Sequence, residues 1–444
     1  MRSAERSQGA PAQRLPAEVW VLVAVSFVIA VGFGILAPAL PTFAASFNVG
    51  VTAASFVISA FAIMRLAFAP ASGAFVNKFG ERPVYITGIL IVALSTGACA
   101  FAESYWQLLL FRALGGTGST MFTVSAVALL VRLSPPHLRG RASGLWGTGF
   151  LLGNIAGPIV GGLLVGVSLR LPFIGYAVAL VLAALVAWWF LRRSELADRA
   201  KGDDGPTATL REALRHRTYL ASLASNFATG WTVFGVRTSL VPLFVAVVLL
   251  ENPAMAGWAM TAFAVGNAAM LMLAGSLADK RGRKPPVLVG LLISGLATIW
   301  LGFTDSVPLF LLASVVGGIG AGLLNPPTNA AVADVIGTKG KGGPVLAAFQ
   351  MTADIGAIIG PLLAGVIAEY VSFTAAFALT GLLSVLAALV WVFAPETLPS
   401  KVDPSAEAEE EVAATVAAEC GHLDEGPELP TGERVAGKPR QPEA

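Results

Sequence analysis

Four charged side chains lie inside otherwise apolar stretches of this sequence: Arg65, Arg112, Arg237 and Asp354. An ionised group in hydrocarbon costs on the order of 3 kcal/mol even on the mildest scales, so each must face a cavity or a partner. Asp354 is the most deeply placed acid of the chain and the leading candidate for a group that binds and releases a proton. Gln350 lies one turn before it and shares its face. For Arg65 and Arg112 the alternative to a functional role is a structural hydrogen bond to a helix carbonyl. Arg237 sits towards the outer part of its stretch, where a role at a gate and contact with a solute are equally open. Asn226, Trp231, Thr232 and Trp146 are candidate cavity-lining residues, although aromatic side chains also populate helix interfaces and interfacial belts. Three arginines against one aspartate make the embedded inventory positive, which favours anionic, zwitterionic or neutral amphiphilic solutes.

The elements that must hold these groups are membrane spans. Of 444 residues, 55% are hydrophobic and only 13% charged, and the mean hydropathy is +0.74. A soluble chain carries about 25% charged residues. No charge occurs from Val19 to Met64, Ala142 to Leu169, Leu171 to Leu191, Asn252 to Ala278 or Ser306 to Ala333. A bilayer core of roughly 30 Å needs about 20 such residues per helix. The pattern predicts an all-α integral membrane protein with twelve spans, near 17–43, 51–72, 84–102, 107–131, 143–167, 171–191, 219–249, 256–277, 286–303, 307–331, 345–367 and 373–394. A tight turn at Phe47 to Gly50 separates the first two, and Pro242 makes the end of the seventh the least certain boundary. The run from Val19 to Leu40 is longer than a signal-peptide core and leads straight into further spans.

Lys and Arg alternate with the spans. One set of connections holds Arg2, Arg6 and Arg14; Lys78 and Arg82; Arg132, Arg139 and Arg141; Arg192 to Arg217; Lys280 to Lys284; and Lys339 and Lys341, whereas the other set holds Arg170 alone. This asymmetry places both termini and the central loop in the cytoplasm, with the chain in the cytoplasmic (inner) membrane. The expected organisation is an N-terminal segment at 1–16, a six-helix bundle at 17–191, a linker at 192–218, a second six-helix bundle at 219–397 and an acidic, disordered tail at 398–444. Two cysteines, Cys99 and Cys420, and three histidines leave no disulfide scaffold and no metal cluster. There is no phosphate-binding loop of the Walker type, so ATP is not the energy source, and no nucleophile–base constellation. Catalytic and metal-ligand residues are therefore none, no cofactor or nucleic acid is expected, and the basic loops are explained by topology.

An internal repeat connects the halves. A shift of 202 residues carries Gly73, Asn77, Gly80 and Arg82 onto Gly275, Asp279, Gly282 and Lys284, and Gly115, Gly116 and Gly118 onto Gly317, Gly318 and Gly320. With one residue more, Gly153, Gly157 and Pro158 fall on Gly356, Gly360 and Pro361. Two parallel copies of six spans, related by an axis along the membrane normal, predict alternating access by rocking of one bundle against the other.

These residues resemble the major facilitator superfamily, and within it the twelve-span drug:proton antiporters, over roughly residues 17–396. The loop signature is nearly complete as Gly275, Asp279, Lys280, Arg281, Gly282, Arg283 and Lys284, and eroded at Gly73, Asn77, Gly80 and Arg82, where Asn77 replaces the usual acid. Arg112 with Gly115, Gly116 and Gly118 matches the signature of span 4. Gly149, Gly153, Gly157, Pro158, Gly161 and Gly162 match the span 5 signature of exporters, and Pro395, Glu396 and Thr397 a short element after span 12. The resemblance implies proton-coupled export of small organic compounds driven by the transmembrane proton gradient, by a monomer embedded in lipid. It further implies proton coupling by Arg112, and a cytoplasmic latch at the two loops that holds the outward-open state. Topogenic charge alone is the other reading of those loops. The small-residue faces of spans 5 and 11 are expected to be hinge and packing surfaces between the halves. A cationic-drug exporter of the family often carries a carboxylate in span 1, and here Ala30 to Leu40 is uncharged. An importer or facilitator of organic anions or sugars, and a membrane sensor that does not transport, are the alternatives.

Overall fold

A computed structural model describes residues 15–134, 138–192, 209–336 and 343–398. Most of the N-terminal segment, most of the linker and the acidic tail lie outside the described residues. Twelve helices are long and apolar enough to cross a membrane. They are α1 Ala17–Ala45, α2 Val51–Phe79, α3 Glu81–Ala100, α4 Tyr105–Leu133, α5 Arg139–Val167, α6 Leu171–Leu191, α7 Arg217–Val247, α8 Ala254–Arg281, α9 Lys284–Leu301, α10 Val307–Ile336, α11 Gly343–Tyr370 and α12 Phe373–Val392. A single turn of helix, Leu210–Ala213, precedes α7.

The packing repeats as the sequence does. In the first half α1 packs on α5 and α6, α4 on α2 and α3, and α3 on α6. In the second half α7 packs on α11 and α12, α10 on α8 and α9, and α9 on α12. This is one six-helix arrangement built twice. Without water in the bilayer to reward burial, helices associate through close packing, and glycine permits it. A Cβ at Gly88 would lie 2.8 Å from the carbonyl oxygen of Gly118, and one at Gly290 would lie 2.8 Å from that of Gly320. A Cβ on Gly34 would lie 2.7 Å from the Pro158 ring and one on Gly235 2.8 Å from the Pro361 ring, on corresponding helices of the two halves. The turns at Gly80 and Gly282, with φ of 86° and 100°, repeat as well.

Two details differ from expectation. α2 continues two turns past residue 72, to Phe79. Pro242 does not interrupt α7, and the helix runs on to Val247. The irregularity comes earlier, as a π-helical stretch from Gly230 to Arg237. Gly230 presses there against the carbonyl of Ala353, a contact no larger residue would allow.

The halves meet along two seams. On one, α2 lies against α11; on the other, α5 lies against α8, where a Cβ on Gly257 would be 2.6 Å from the Gly162 Cα. α1 also touches Thr238–Val247, the last part of α7. These contacts gather towards the face opposite the basic loops. At the basic end, Cβ atoms added at Gly73, Gly144, Gly147 and Gly275 would meet nothing within 4 Å. The bundle is thus closed at one face and open at the face bearing Lys78, Lys280 and Arg283. Replacing Gly257 with Val forces backbone apart at the closed seam, so a cysteine introduced at buried Ser55 should react several-fold faster with an impermeant thiol reagent, measured from the closed side. Unchanged labelling in a folded Gly257→Val protein contradicts this packing account.

Candidate functional site

The middle of the α2–α11 seam carries a half-buried ion pair. Arg65 Nη2 lies 3.0 Å from Asp354 Oδ1, with side chains 27% and 16% exposed. Arg65 comes from the first half and Asp354 from the second, so the pair ties one bundle to the other. Going towards the closed face, Ser59 donates to the Ile358 carbonyl at 2.7 Å, a Cβ on Gly365 would lie 3.2 Å from Ser55, and the Thr52 N–H donates to Glu369 at 2.8 Å. The tie is continuous from the end of the seam to its middle and stops at Arg65–Asp354. Gln350, one turn further towards the open face, is exposed.

Arg112 and Arg237 are arranged differently. Each is 6% exposed and holds its guanidinium over a phenylalanine ring, Arg112 over Phe61 at 4.0 Å and Arg237 over Phe263 at 3.9 Å. Phe61 and Phe263 are related by the same shift of 202, a correspondence that was readable in the sequence. Neither guanidinium makes an ion pair among the described residues. Of the expected cavity residues, Trp231 is buried and donates to Thr380 Oγ1 of α12 at 3.2 Å, and Thr232 meets Ser384 at 3.3 Å. These two bind α7 to α12 instead of presenting a polar surface to a cavity. Asn226 donates to the Phe349 carbonyl of α11 at 2.5 Å. Trp146, half-buried in α5, packs against Phe150 with the rings tilted by 47° and their centres 5.3 Å apart.

Most of the small-residue faces lie inside one half instead of between the halves. Gly149, Gly153, Gly157 and Gly161 face α1 within the first half, and Gly356 and Gly360 face α7 within the second. Gly162, with the Pro158 carbonyl 2.7 Å from a Cβ on Gly257, and Gly365, where a Cβ would lie 3.2 Å from Ser55 of α2, do reach the seams between the halves. Glycine spacing specifies a flat face without specifying its neighbour.

At the basic end, Arg283 reaches Asp279 at 2.7 Å and Asp334 at 3.3 Å, so Asp279 pairs within its own loop. The cap of α9 comes instead from Glu396, which accepts the N–H groups of Arg283 at 2.7 Å and of Lys284, Thr397 and Leu398 at 3.0 Å. Lys284 Nζ in turn bonds the Val392 and Ala394 carbonyls at the end of α12. In the first half Glu81 pairs with Arg132 at 2.7 Å. The shift of 202 carries Glu81 onto Arg283 and Arg132 onto Asp334, so the repeat keeps the pair and reverses its polarity. Gly73 and Gly275 bring no helix close in this state, and Arg82 is half-buried. No group of three or more His, Cys, Asp or Glu that could hold a metal occurs among the described residues.

Comparison with known proteins comes to the same architecture. A family model described as Major Facilitator Superfamily matches residues 22–251 and 227–429. The tetracycline resistance protein, class H, of Pasteurella multocida is 26% identical, over 79% of this chain and 88% of its own. A multi-drug resistance efflux pump PmrA homolog of Lactococcus lactis is 26% identical, over 83% of this chain and 92% of its own. Among solved structures, a bacterial homolog of the human lysosomal transporter Spinster, in an inward-facing, unoccupied conformation, aligns with a TM-score of 0.69 at 17% identity, covering 86% of this chain and 96% of its own. The human organic anion transporter MFSD10 aligns with a TM-score of 0.62 at 19% identity, covering 85% of this chain and all of its own. At these identities the structures speak for the fold alone.

Neutralising either member of the central pair leaves the other ion without its partner, at a cost of about 1.5–3 kcal/mol. Arg65→Gln and Asp354→Asn should each lower the thermal midpoint of purified protein, and the swap Arg65→Asp with Asp354→Arg should recover part of the loss. Additive losses in the swap would show that the two side chains do not interact. Glu396 offers a second check. Partial burial raises its proton affinity, but its backbone donors outweigh that and hold the carboxyl below the ordinary glutamate value. Its stabilising contribution is therefore present above the unfolded-state value and lost as pH falls through the lower, folded-state one. Glu396→Gln should flatten that acid limb of the stability profile.

Proposed function

This chain belongs to the major facilitator superfamily, and we propose that it is a proton-coupled exporter of small amphiphilic organic compounds, neutral or anionic. That it is a multi-pass transporter of small organic solutes follows from the family. The finer reading rests on one observation, the Arg65–Asp354 pair across the two halves. A protonated Asp354 cannot make the ion pair, so protonation and the tie exclude one another. The tie belongs to the state open at the basic face, which the positive-inside rule assigns to the cytoplasm, with both termini there and the chain in the inner membrane. In the opposite state the halves part along the α2–α11 seam, and Asp354, separated from Arg65, takes a proton from outside. Return to the present state re-forms the pair and releases that proton inside. Proton entry so coupled supplies the work for solute exit.

Export is further supported by the relatives named for tetracycline resistance and multidrug efflux. Asp354 neutralises Arg65, while Arg112 and Arg237 remain without acid partners among the described residues. The balance stays positive, which supports neutral and anionic solutes. Arg112 would serve coupling as a fixed charge within the first half, and Gln350 and Trp146 would meet the solute from the open side. The loops at Gly73 to Arg82 and Gly275 to Lys284 would latch when the basic face closes.

In energised inside-out membrane vesicles, neutral or anionic amphiphiles should release protons from the lumen through the wild-type protein and not through Asp354→Asn. Release by cationic dyes alone would overturn the charge assignment, and release undiminished in Asp354→Asn would overturn the role of the pair.

A further inference from the structure

The second half holds a guanidinium in a place that packing alone does not require. Phe61, Ser95, Arg112 and Gly115 of the first half correspond, by the shift of 202, to Phe263, Ala297, Ser314 and Gly317 of the second. In the first half, Arg112 of α4 covers Phe61. In the second, the equivalent position on α10 is Ser314, and the guanidinium over Phe263 comes from α7 as Arg237. Its Nη2 fills the space above Gly317, 3.0 Å from where a Cβ would stand. The repeat has thus kept a cation on the same ring while changing the helix that delivers it. The π-helical stretch from Gly230 ends at Arg237 and sets its direction, and such stretches frequently mark functional positions.

The polar groups around this guanidinium are left open. Arg237 Nε and Nη1 are buried and reach no hydrogen-bond acceptor among the described residues, and neither does Ser314 Oγ. Ser314 is fully buried and lies one turn from Gly317 on the same helix. The Phe263 face compensates part of the charge. It does not accept in-plane N–H groups, and no carboxylate pairs with Arg237 among the described residues. Two unpartnered donors of a fixed cation, with a buried hydroxyl one turn from the glycine that Nη2 covers, present the chemistry that binds a small monovalent anion.

We propose that Arg237 and Ser314, above Gly317 and Phe263, form an anion subsite in the second half that takes a halide or a small carboxylate. The site goes beyond the exporter reading and does not depend on proton coupling. A halide would come from the medium; a carboxylate would come from the transported solute itself.

The test is the thermal unfolding midpoint of the full chain, purified in detergent, at constant ionic strength with sodium gluconate replaced stepwise by chloride, bromide or acetate. A ligand that binds only the folded state raises the midpoint saturably. Saturable stabilisation by chloride and bromide identifies a halide site, and stabilisation by acetate alone identifies a carboxylate site. In either case Arg237→Gln abolishes the effect, Ser314→Ala weakens half-saturation about tenfold, and Arg112→Gln leaves it intact. If Arg237→Gln does not fold, Arg237→Lys takes its place, because it keeps the charge and loses the two-pronged donor. No anion dependence in the wild type, or the same half-saturation in the Arg237 and Ser314 variants, overturns the proposal.

Discussion

An ion in a hydrocarbon slab must be paired or covered, and the rest of this structure depends on how that is done. Arg65 and Asp354 solve it jointly across the boundary between the halves. Arg112 and Arg237 solve it separately, each held over an aromatic ring inside its own half. The difference matters for mechanism. A pair that spans a boundary is broken when the boundary opens, whereas a cation on a ring within one rigid bundle travels with that bundle. Only the first can report the conformational state to a proton.

The scaffold makes such a switch workable because it separates tight seams from seams that part. Within each half, glycines bring helices to backbone contact, as at Gly88 and Gly118 or Gly290 and Gly320, and such interfaces are bistable or rigid rather than soft. Between the halves, the main contacts are α2 with α11, α5 with α8 and the end of α7 with α1, gathered towards one face. At the other face, the loops are locked inside each half by Glu81 with Arg132, and by Arg283 with Asp279 and Asp334. Each bundle is therefore fastened to itself at the basic end and to its partner at the other.

Much of this was legible in the residues. Twelve spans, the repeat and the two equivalent basic loops follow from hydropathy, charge alternation and the shift of 202. The four embedded charges were visible as individuals, but their pairing was not: the contact of α2 with α11 lies between the repeats, so the repeat itself carries no sign of it. Trp231 read as a cavity residue because its polarity was visible and Thr380, its partner on α12, was not. The glycines of α5 announced a close approach while leaving open whether α1 or the other half would make it. The placing of arginine over phenylalanine could have been found, since Phe61 and Phe263 obey the same shift as the glycines. What hid it was that the second arginine comes from a different helix. The π stretch of α7 has no signal in composition; it arises where Gly230 meets the Ala353 carbonyl.

The claim that proton binding at Asp354 and the tie between the halves exclude one another is tested most directly by a distance across the open face. Spin labels at Gly147→Cys and Gly275→Cys, with Cys99 and Cys420 replaced, report the gap between α5 and α8 at the basic end. The account predicts a long distance at neutral pH that gives way to a shorter one on acidification, and an Asp354→Asn protein that shows the short distance at both. A distribution indifferent to pH and to Asp354→Asn would contradict it.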